Sequence, residues 1–194
     1  MERKIRQHCG ALLIVLLGLS GCSVMPSPAP QTSAAAEAER GRAALSQWTL
    51  KARLATPDQR ASLRWRQSEQ NFDLLLRGPF GFGGVRIVGS PDQVTIDDGD
   101  ELEVSDNPEL DIYQRTGMVV PLAALGWWVR GLPAPHEPAQ LERDVAGHIR
   151  VIRQSAWVIQ LADYETVDGL SMPQSVRMEH LPWFLQLDVS SWAF

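Results

Sequence analysis

Cysteine is almost absent from this chain of 194 residues: only Cys9 and Cys22 occur, and both lie in the first 22 positions. A fold built from the remainder therefore has no disulfide, and thiol redox chemistry or a thiolate metal site is excluded there. Histidine is nearly as scarce beyond that point. His136, His148 and His180 are scattered without a carboxylate or cysteine at ligand spacing, and His136-Glu137 runs into Pro138, which rules out a zinc helix of the His-Glu-x-x-His type. A Gly-x-Ser-x-Gly elbow, a phosphate loop and a dinucleotide glycine pattern are all missing. Nothing recommends an enzyme, although an esterase assembled from dispersed residues stays open. A long apolar run is lacking too: the N-terminal one, Ala11 to Leu19, falls short of the roughly 20 residues a membrane helix needs.

That short run has another meaning. Arg3, Lys4 and Arg6 precede it and Leu19-Ser20-Gly21-Cys22 closes it, the pattern of a bacterial lipoprotein signal. Residues 1–21 read as a signal peptide cut before Cys22, whose thiol and new amino group would carry acyl chains. Ser23 and Val24 follow the cysteine; the lack of Asp at the first of these positions points to the outer membrane. Of 18 Lys+Arg and 23 Asp+Glu in the chain, Arg3, Lys4, Arg6 and Glu2 lie in the signal, so 15 and 22 remain, a net charge of −7. An acidic chain without a Lys/Arg cluster argues against nucleic acid as a partner.

Residues 22–36 form a lipidated cysteine and a Ser/Pro/Ala-rich tether, with Pro26, Pro28 and Pro30 spaced by two. Residues 37–194 form the domain. A helix-forming stretch from Ala34 to Leu45, with Ala35, Ala38 and Leu45 as contacts, opens it. The period then changes to two. Trp48, Leu50, Ala52 and Leu54 alternate with polar residues, as do Leu63 and Trp65, and Phe72, Leu74 and Leu76 alternate with Asp73, Leu75 and Arg77. Val85 and Ile87, Val94 and Ile96, and Leu102 and Val104 continue the pattern, with turns at Ser90-Pro91-Asp92 and Asp97-Asp98-Gly99. The acidic cluster from Asp97 to Glu103 reads as a solvated turn, since it lacks calcium-loop spacing.

Two short helices interrupt the strands. Asn107 is placed to cap Pro108 to Arg115, and Pro121 opens Leu122 to Val129, which stops at Gly131 and Pro133. Strands resume at His148–Gln154, Trp157–Tyr164, Gln174–His180 and Trp183–Ser190, the last with Trp183, Leu185, Leu187 and Val189 on one face. The whole is mainly β (α+β): about ten strands in a large curved antiparallel sheet, with helices on its concave side. Seven tryptophans lie in the domain, and they either fill its core or line a cavity. Adjacent Trp127 and Trp128 diverge on one helix, so one faces the sheet and the other the cavity mouth or solvent. In Gly78-Pro79-Phe80-Gly81-Phe82-Gly83-Gly84, Phe80 either folds back onto the core or projects from the loop tip.

Six segments in this order resemble the LolB family, the outer-membrane lipoprotein receptors of Gram-negative bacteria. They are Trp48–Ala55 (WTLKARLA), Ala61–Gln67 (ASLRWRQ), Leu74–Gly81 (LLLRGPFG), Gly117–Gly131 (GMVVPLAALGWWVRG), Gln154–Val158 (QSAWV) and Leu185–Trp192. The resemblance implies an unclosed antiparallel β-barrel of ten or eleven strands with helices as a lid over a hydrophobic cavity. It also implies a non-enzymatic function: accepting acylated client lipoproteins from the periplasmic carrier LolA and placing them in the inner leaflet of the outer membrane, as a monomer without cofactor. By position in the motifs, Trp65, Leu74, Leu76, Trp127, Trp157 and Leu185 become cavity candidates. Pro79, Phe80 and Gly81 match the family's protruding membrane-insertion loop, with Phe80 where Leu is common. A non-transferring envelope scaffold and, more remotely, a lipid hydrolase remain the alternatives.

Overall fold

A computed structural model describes residues 33–78, 84–116 and 119–194. The described elements are α1 (Ser33–Ala44), β1 (Gln47–Ala55), β2 (Arg60–Ser68), β3 (Asn71–Arg77), β4 (Gly84–Gly89), β5 (Val94–Asp97), β6 (Leu102–Ser105), α2 (Pro108–Thr116), α3 (Leu122–Val129), β7 (Gln140–Arg143), β8 (Ile149–Gln154), β9 (Trp157–Val167), β10 (Leu170–His180) and β11 (Trp183–Ala193). The helix α1 begins at Ser33, so its first four residues overlap the stretch assigned by sequence to the tether.

The strands form one antiparallel sheet in the order β6-β5-β4-β3-β2-β1-β11-β10-β9-β8-β7. Two meanders, β1–β6 and β7–β11, are joined where the last strand pairs with the first. Among the described residues the outer edges of β6 and β7 have no partner strand, so the sheet is not closed. The turns fall on two rims. The upper rim carries the β1–β2, β8–β9 and β10–β11 turns and the facing ends of β3 and β4; the lower rim carries the β7–β8 and β9–β10 turns and the start of β1. The Leu181–Pro182 peptide in the β10–β11 turn is cis.

Period-two alternation sets the inner face through most of the sheet: Leu50 lies opposite Trp65, Trp65 opposite Leu74, and Leu74 opposite Ile87. On β11 a bulge modifies the expected run. Lys51 pairs with Ser191 but Ala52 pairs with Val189, leaving Ser190 as the extra residue. The phase therefore flips beyond Val189 and turns Trp192 inward, where its ring lies 5.6 Å from Trp48, itself 5.2 Å from Trp65.

One expectation is corrected here. Leu102 and Val104 do not continue the inner face but are exposed, at 65% and 57%; Glu103, opposite Ile96, and Ser105, opposite Val94, take the inner positions. The cause is α2: Ser105 Oγ donates to Asp111 on that helix and accepts from the Asn107 N–H, so the polar phase of β6 is needed inside. Strand β7 is an addition, invisible to periodicity because Leu141 is its single apolar residue.

Helix α3 ends as its sequence prescribes. The Gly131 N–H donates to the Trp128 carbonyl and the Leu132 N–H to the Trp127 carbonyl, a Schellman closure with Gly131 at φ +71°. A Cβ at Gly131 would also stand 2.9 Å from the Tyr164 hydroxyl. Arg130, the C-cap residue, is 5% exposed and points back across the fold. Its Nη1 donates to the carbonyls of Arg42 and Leu45 at the end of α1 (2.7 and 2.9 Å), and its Nε to the Gly126 carbonyl. A cation against helix-terminal carbonyls is favourable, and the guanidinium lies 4.7 Å from the Trp127 ring. Burial and then the neighbouring Arg42 charge still lower its pKa to about 10. Replacing Arg130 with Ala should destabilise the fold by about 3 kcal/mol, because several buried carbonyls lose a charged donor at once. Urea denaturation measures this, and a loss below about 0.5 kcal/mol, the level of an ordinary surface change, would contradict the clamp.

Candidate functional site

The concave face is filled unevenly. Over β8–β11, Trp128 of α3 is fully buried against Ile149, Ile152, Ile159 and Met178, and its indole N–H donates to Gln154 Oε1 at 2.8 Å. Gln154 is itself 3% exposed. It also accepts from the Ala134 N–H and donates to the Ala134 and Glu137 carbonyls, so one side chain fixes both α3 and the segment after it.

Over β1–β6 the described residues supply no such plug. A cavity of about 300 Å³ opens there, walled by Leu63, Trp65, Phe72, Leu74, Leu76 and Ile87 of the sheet. Pro108 and Ile112 of α2 and Leu122 and Leu125 of α3 form the roof. Glu103, Ser105 and Asp111 are its polar members, gathered where β6 meets α2. The two roof helices are tied together: Glu109 of α2 accepts the Leu122 N–H of α3 at 2.8 Å. The Trp65 indole N–H is satisfied by Gln67 Oε1 at 2.8 Å, which leaves the ring's apolar surface to the wall.

A second, mostly apolar hollow of about 400 Å³ adjoins the first at the upper rim, lined by Val120, Leu125, Trp157, Met178, Trp183 and Leu185 among others. Leu125 and Leu185 line both, so the two spaces share a wall. The outer face of the same strands differs. There Lys51, Arg53, Arg64, Arg77 and Asp188 surround Leu75 in an open groove rimmed by charged side chains. Asp73, also on that face, is held below the usual carboxylate range, chiefly by its hydrogen bond from Arg86 and also by Arg66.

Of the residues singled out by sequence, Trp65, Leu74, Leu76 and Leu185 meet at the main cavity. Trp157 stands at the adjoining hollow, its ring 5.9 Å from Trp128 and its N–H on the Val119 carbonyl. Trp127 lines neither of these two spaces. Successive helical residues diverge by about 100°, and with Trp128 in the sheet-facing position Trp127 is left half-buried beneath Arg130. Cys22, Pro79, Phe80 and Gly81 lie outside the described residues.

His148 is less isolated than the sequence suggested. Its Nδ1 lies 3.4 Å from Asp144 and its Nε2 3.3 Å from the Ser171 hydroxyl, while its ring stacks on Tyr164 at 4.6 Å. These are the residue types of a hydrolytic triad, but the contacts are long, and neither the cavity nor the adjoining hollow includes Ser171. Asp144 accepts the N–H groups of Ala146 and His148, so the cluster holds the β7–β8 turn against β10. Tyr164 donates to the Ile149 carbonyl, and burial pushes its pKa up to about 12. Among the described residues no group of three or more His, Cys, Asp or Glu side chains is placed to hold a metal ion, and no helix is long and apolar enough to cross a membrane.

Sequence missed Leu63, Phe72, Ile87, Ile112, Leu122 and Leu125 as lining residues, and it missed Gln154 and Arg130, which hold the roof from outside the cavity. Gln154 shares a strand face with Ile152, and a polar residue in an apolar phase marks a buried hydrogen-bond hub. Arg130 showed nothing beyond its place at a helix end.

The family model described as Outer membrane lipoprotein LolB matches residues 46–192. Among relatives, the outer-membrane lipoprotein LolB of Chromohalobacter salexigens is 34% identical over 183 residues, covering 90% of this chain and 84% of its own length. That of Alkalilimnicola ehrlichii is 32% identical over 195 residues, covering 95% and 97%. Among solved structures, a DUF1329 family protein from Desulfovibrio piger matches with a TM-score of 0.53 at 9% identity, over 86% of this chain and 93% of that one, a likeness of fold alone. The family match includes every strand that walls the cavity as well as both roof helices, and the chain belongs to the LolB family of outer-membrane lipoproteins.

Proposed function

We propose that this protein is an outer-membrane lipoprotein receptor that takes acylated lipoproteins from a periplasmic carrier of the LolA type and inserts them into the outer membrane, holding their acyl chains in the cavity between β1–β6 and the α2–α3 roof. The observation that carries this is an apolar, unfilled cavity in a chain whose family members are named for an outer-membrane lipoprotein. Cys22, the Pro-rich tether and the Ser23-Val24 pair support anchoring of the protein itself at that membrane, with the domain in the periplasm.

Energetics explain the need for a cavity. At about 0.8 kcal/mol per methylene, one 16-carbon chain transferred to water costs on the order of 12 kcal/mol, so each step between membranes requires shelter. Direction then comes from differential affinity: the chains prefer this cavity to the carrier's, and the bilayer to this cavity. A tenfold bias at either step needs only about 1.4 kcal/mol.

The transfer of radiolabelled lipoprotein from loaded carrier to this protein tests the reading. Leu74→Glu and Leu76→Glu place an unpaired carboxylate in the apolar wall and should lower uptake more than roughly tenfold. Leu75→Glu, on the outer face of the same strand, should leave uptake near the unsubstituted level. Equal uptake by all three would contradict acyl binding in the cavity; label that stays on the carrier with the unsubstituted protein would favour the scaffold alternative. Phe80→Glu tests the insertion loop separately. It should preserve folding and uptake but block release into liposomes, and normal insertion by this variant would remove Phe80 from the mechanism.

A further inference from the structure

We propose that the upper rim around the β10–β11 turn is a bilayer-contact surface, with Leu181 as its tip and the 400 Å³ hollow as the passage by which an acyl chain moves between cavity and membrane. It rests on the receptor reading above and adds to it a membrane-facing site outside the β3–β4 loop.

Two separate segments, the β10–β11 turn with the start of β11 and the stretch before α3, bring apolar side chains to this rim. Leu181 stands at the turn with 85% of its surface exposed. Val119, from the segment before α3, is 57% exposed and is held there through its carbonyl by the Trp157 indole. Trp183 and Phe184, just past the turn, form the wall of the hollow behind them. Apolar tips backed by indoles are the side chains that favour the zone between lipid tails and headgroups, where the ring is buried and its polar edge stays wet. Exposed apolar groups gathered in this way mark a contact surface.

Two features select lipid over protein. The charge beside Phe184 is internally matched, since Arg177 lies 4.1 Å over its ring and pairs with Glu179, and Asp58 is the single charged side chain among the residues that line the hollow. The hollow also shares Leu125 and Leu185 with the main cavity, so a chain leaving that cavity reaches the rim along apolar walls. The anchor's reach fits as well. Helix α1 lies along the lower rim, fixed by Arg42 to the Ser171 carbonyl and by Glu39 to Arg143. The eleven residues from Cys22 to Thr32 can span up to about 36 Å, matching the height of about 36 Å of an 11-residue strand such as β10. The lipidated end and the Leu181 rim therefore reach one bilayer.

The test uses the full chain with its anchor, reconstituted in phosphatidylethanolamine–phosphatidylglycerol vesicles, with an environment-sensitive fluorophore on Leu181→Cys or on Val145→Cys. Val145 is fully exposed in the lower-rim turn and serves as the reference. The label at 181 should be quenched by spin-labelled lipid and shielded from aqueous iodide, and that at 145 should remain open to iodide. Equal iodide quenching at both positions would overturn the proposal. So would shielding at 181 that grows with protein concentration without vesicles, the mark of a second copy, or that needs added carrier, the mark of a protein partner. Leu181→Glu should slow client insertion into vesicles roughly tenfold, the value of one buried leucine, with uptake from the carrier unchanged. Loss of uptake by the unsubstituted chain would instead overturn the receptor reading, and the label positions would still report on the rim.

Discussion

The structure depends on a mismatch of cover. Eleven strands at about 4.8 Å spacing make a sheet roughly 48 Å across, and the helices on its concave side, α2 and α3, are nine and eight residues long, or about 12–14 Å each. One tryptophan, Trp128, plugs the β8–β11 half. Among the described residues nothing comparable covers β1–β6, so the apolar face that drives the sheet to curl is also left facing a void. An ordinary core avoids such voids because each lost contact costs stability; under the proposed function the void is the site, and an acyl chain would take the place of the missing side chains against its apolar lining.

That arrangement needs the roof to be held by something other than packing over the cavity, and polar groups do it from the filled side. Gln154 satisfies the Trp128 indole and three backbone groups beyond α3. Arg130 continues from the end of α3 to the end of α1, which in turn is fixed to the lower rim through Arg42 and Glu39. The roof is thus anchored at the end of α3, and Glu109 links α2 to the start of α3 by accepting the Leu122 N–H. The anchored helix α1 and the cavity roof belong to one hydrogen-bonded chain of contacts.

Much of this was legible in the sequence because it is written in period and punctuation. The alternation at Trp48, Leu50 and Ala52 and at Leu63 and Trp65 fixes the inner face, and Asn107, Pro121 and Gly131 bound α2 and α3. What was not legible depends on tertiary partners. The polar phase of β6 makes sense only once Ser105 meets Asp111, β7 exists because Glu142 and its neighbours complete a ladder with β8, and Ser190 is a bulge only by the pairing of its neighbours with Lys51 and Ala52. Of the cavity candidates, Leu74, Leu76, Trp65 and Leu185 come together because all lie on strands, where period two decides the face. Trp127 does not, because on a helix the choice between two adjacent tryptophans is made by the groove that receives one of them.

Covalent mapping of a bound acyl chain tests the central claim most directly. A client lipoprotein whose acyl chain ends in a photoactivatable diazirine, passed from carrier to this protein and irradiated, should label Leu74, Leu76 or Leu185 on the concave face. Adducts confined to the outer groove around Leu75, with none on those three, would contradict the account.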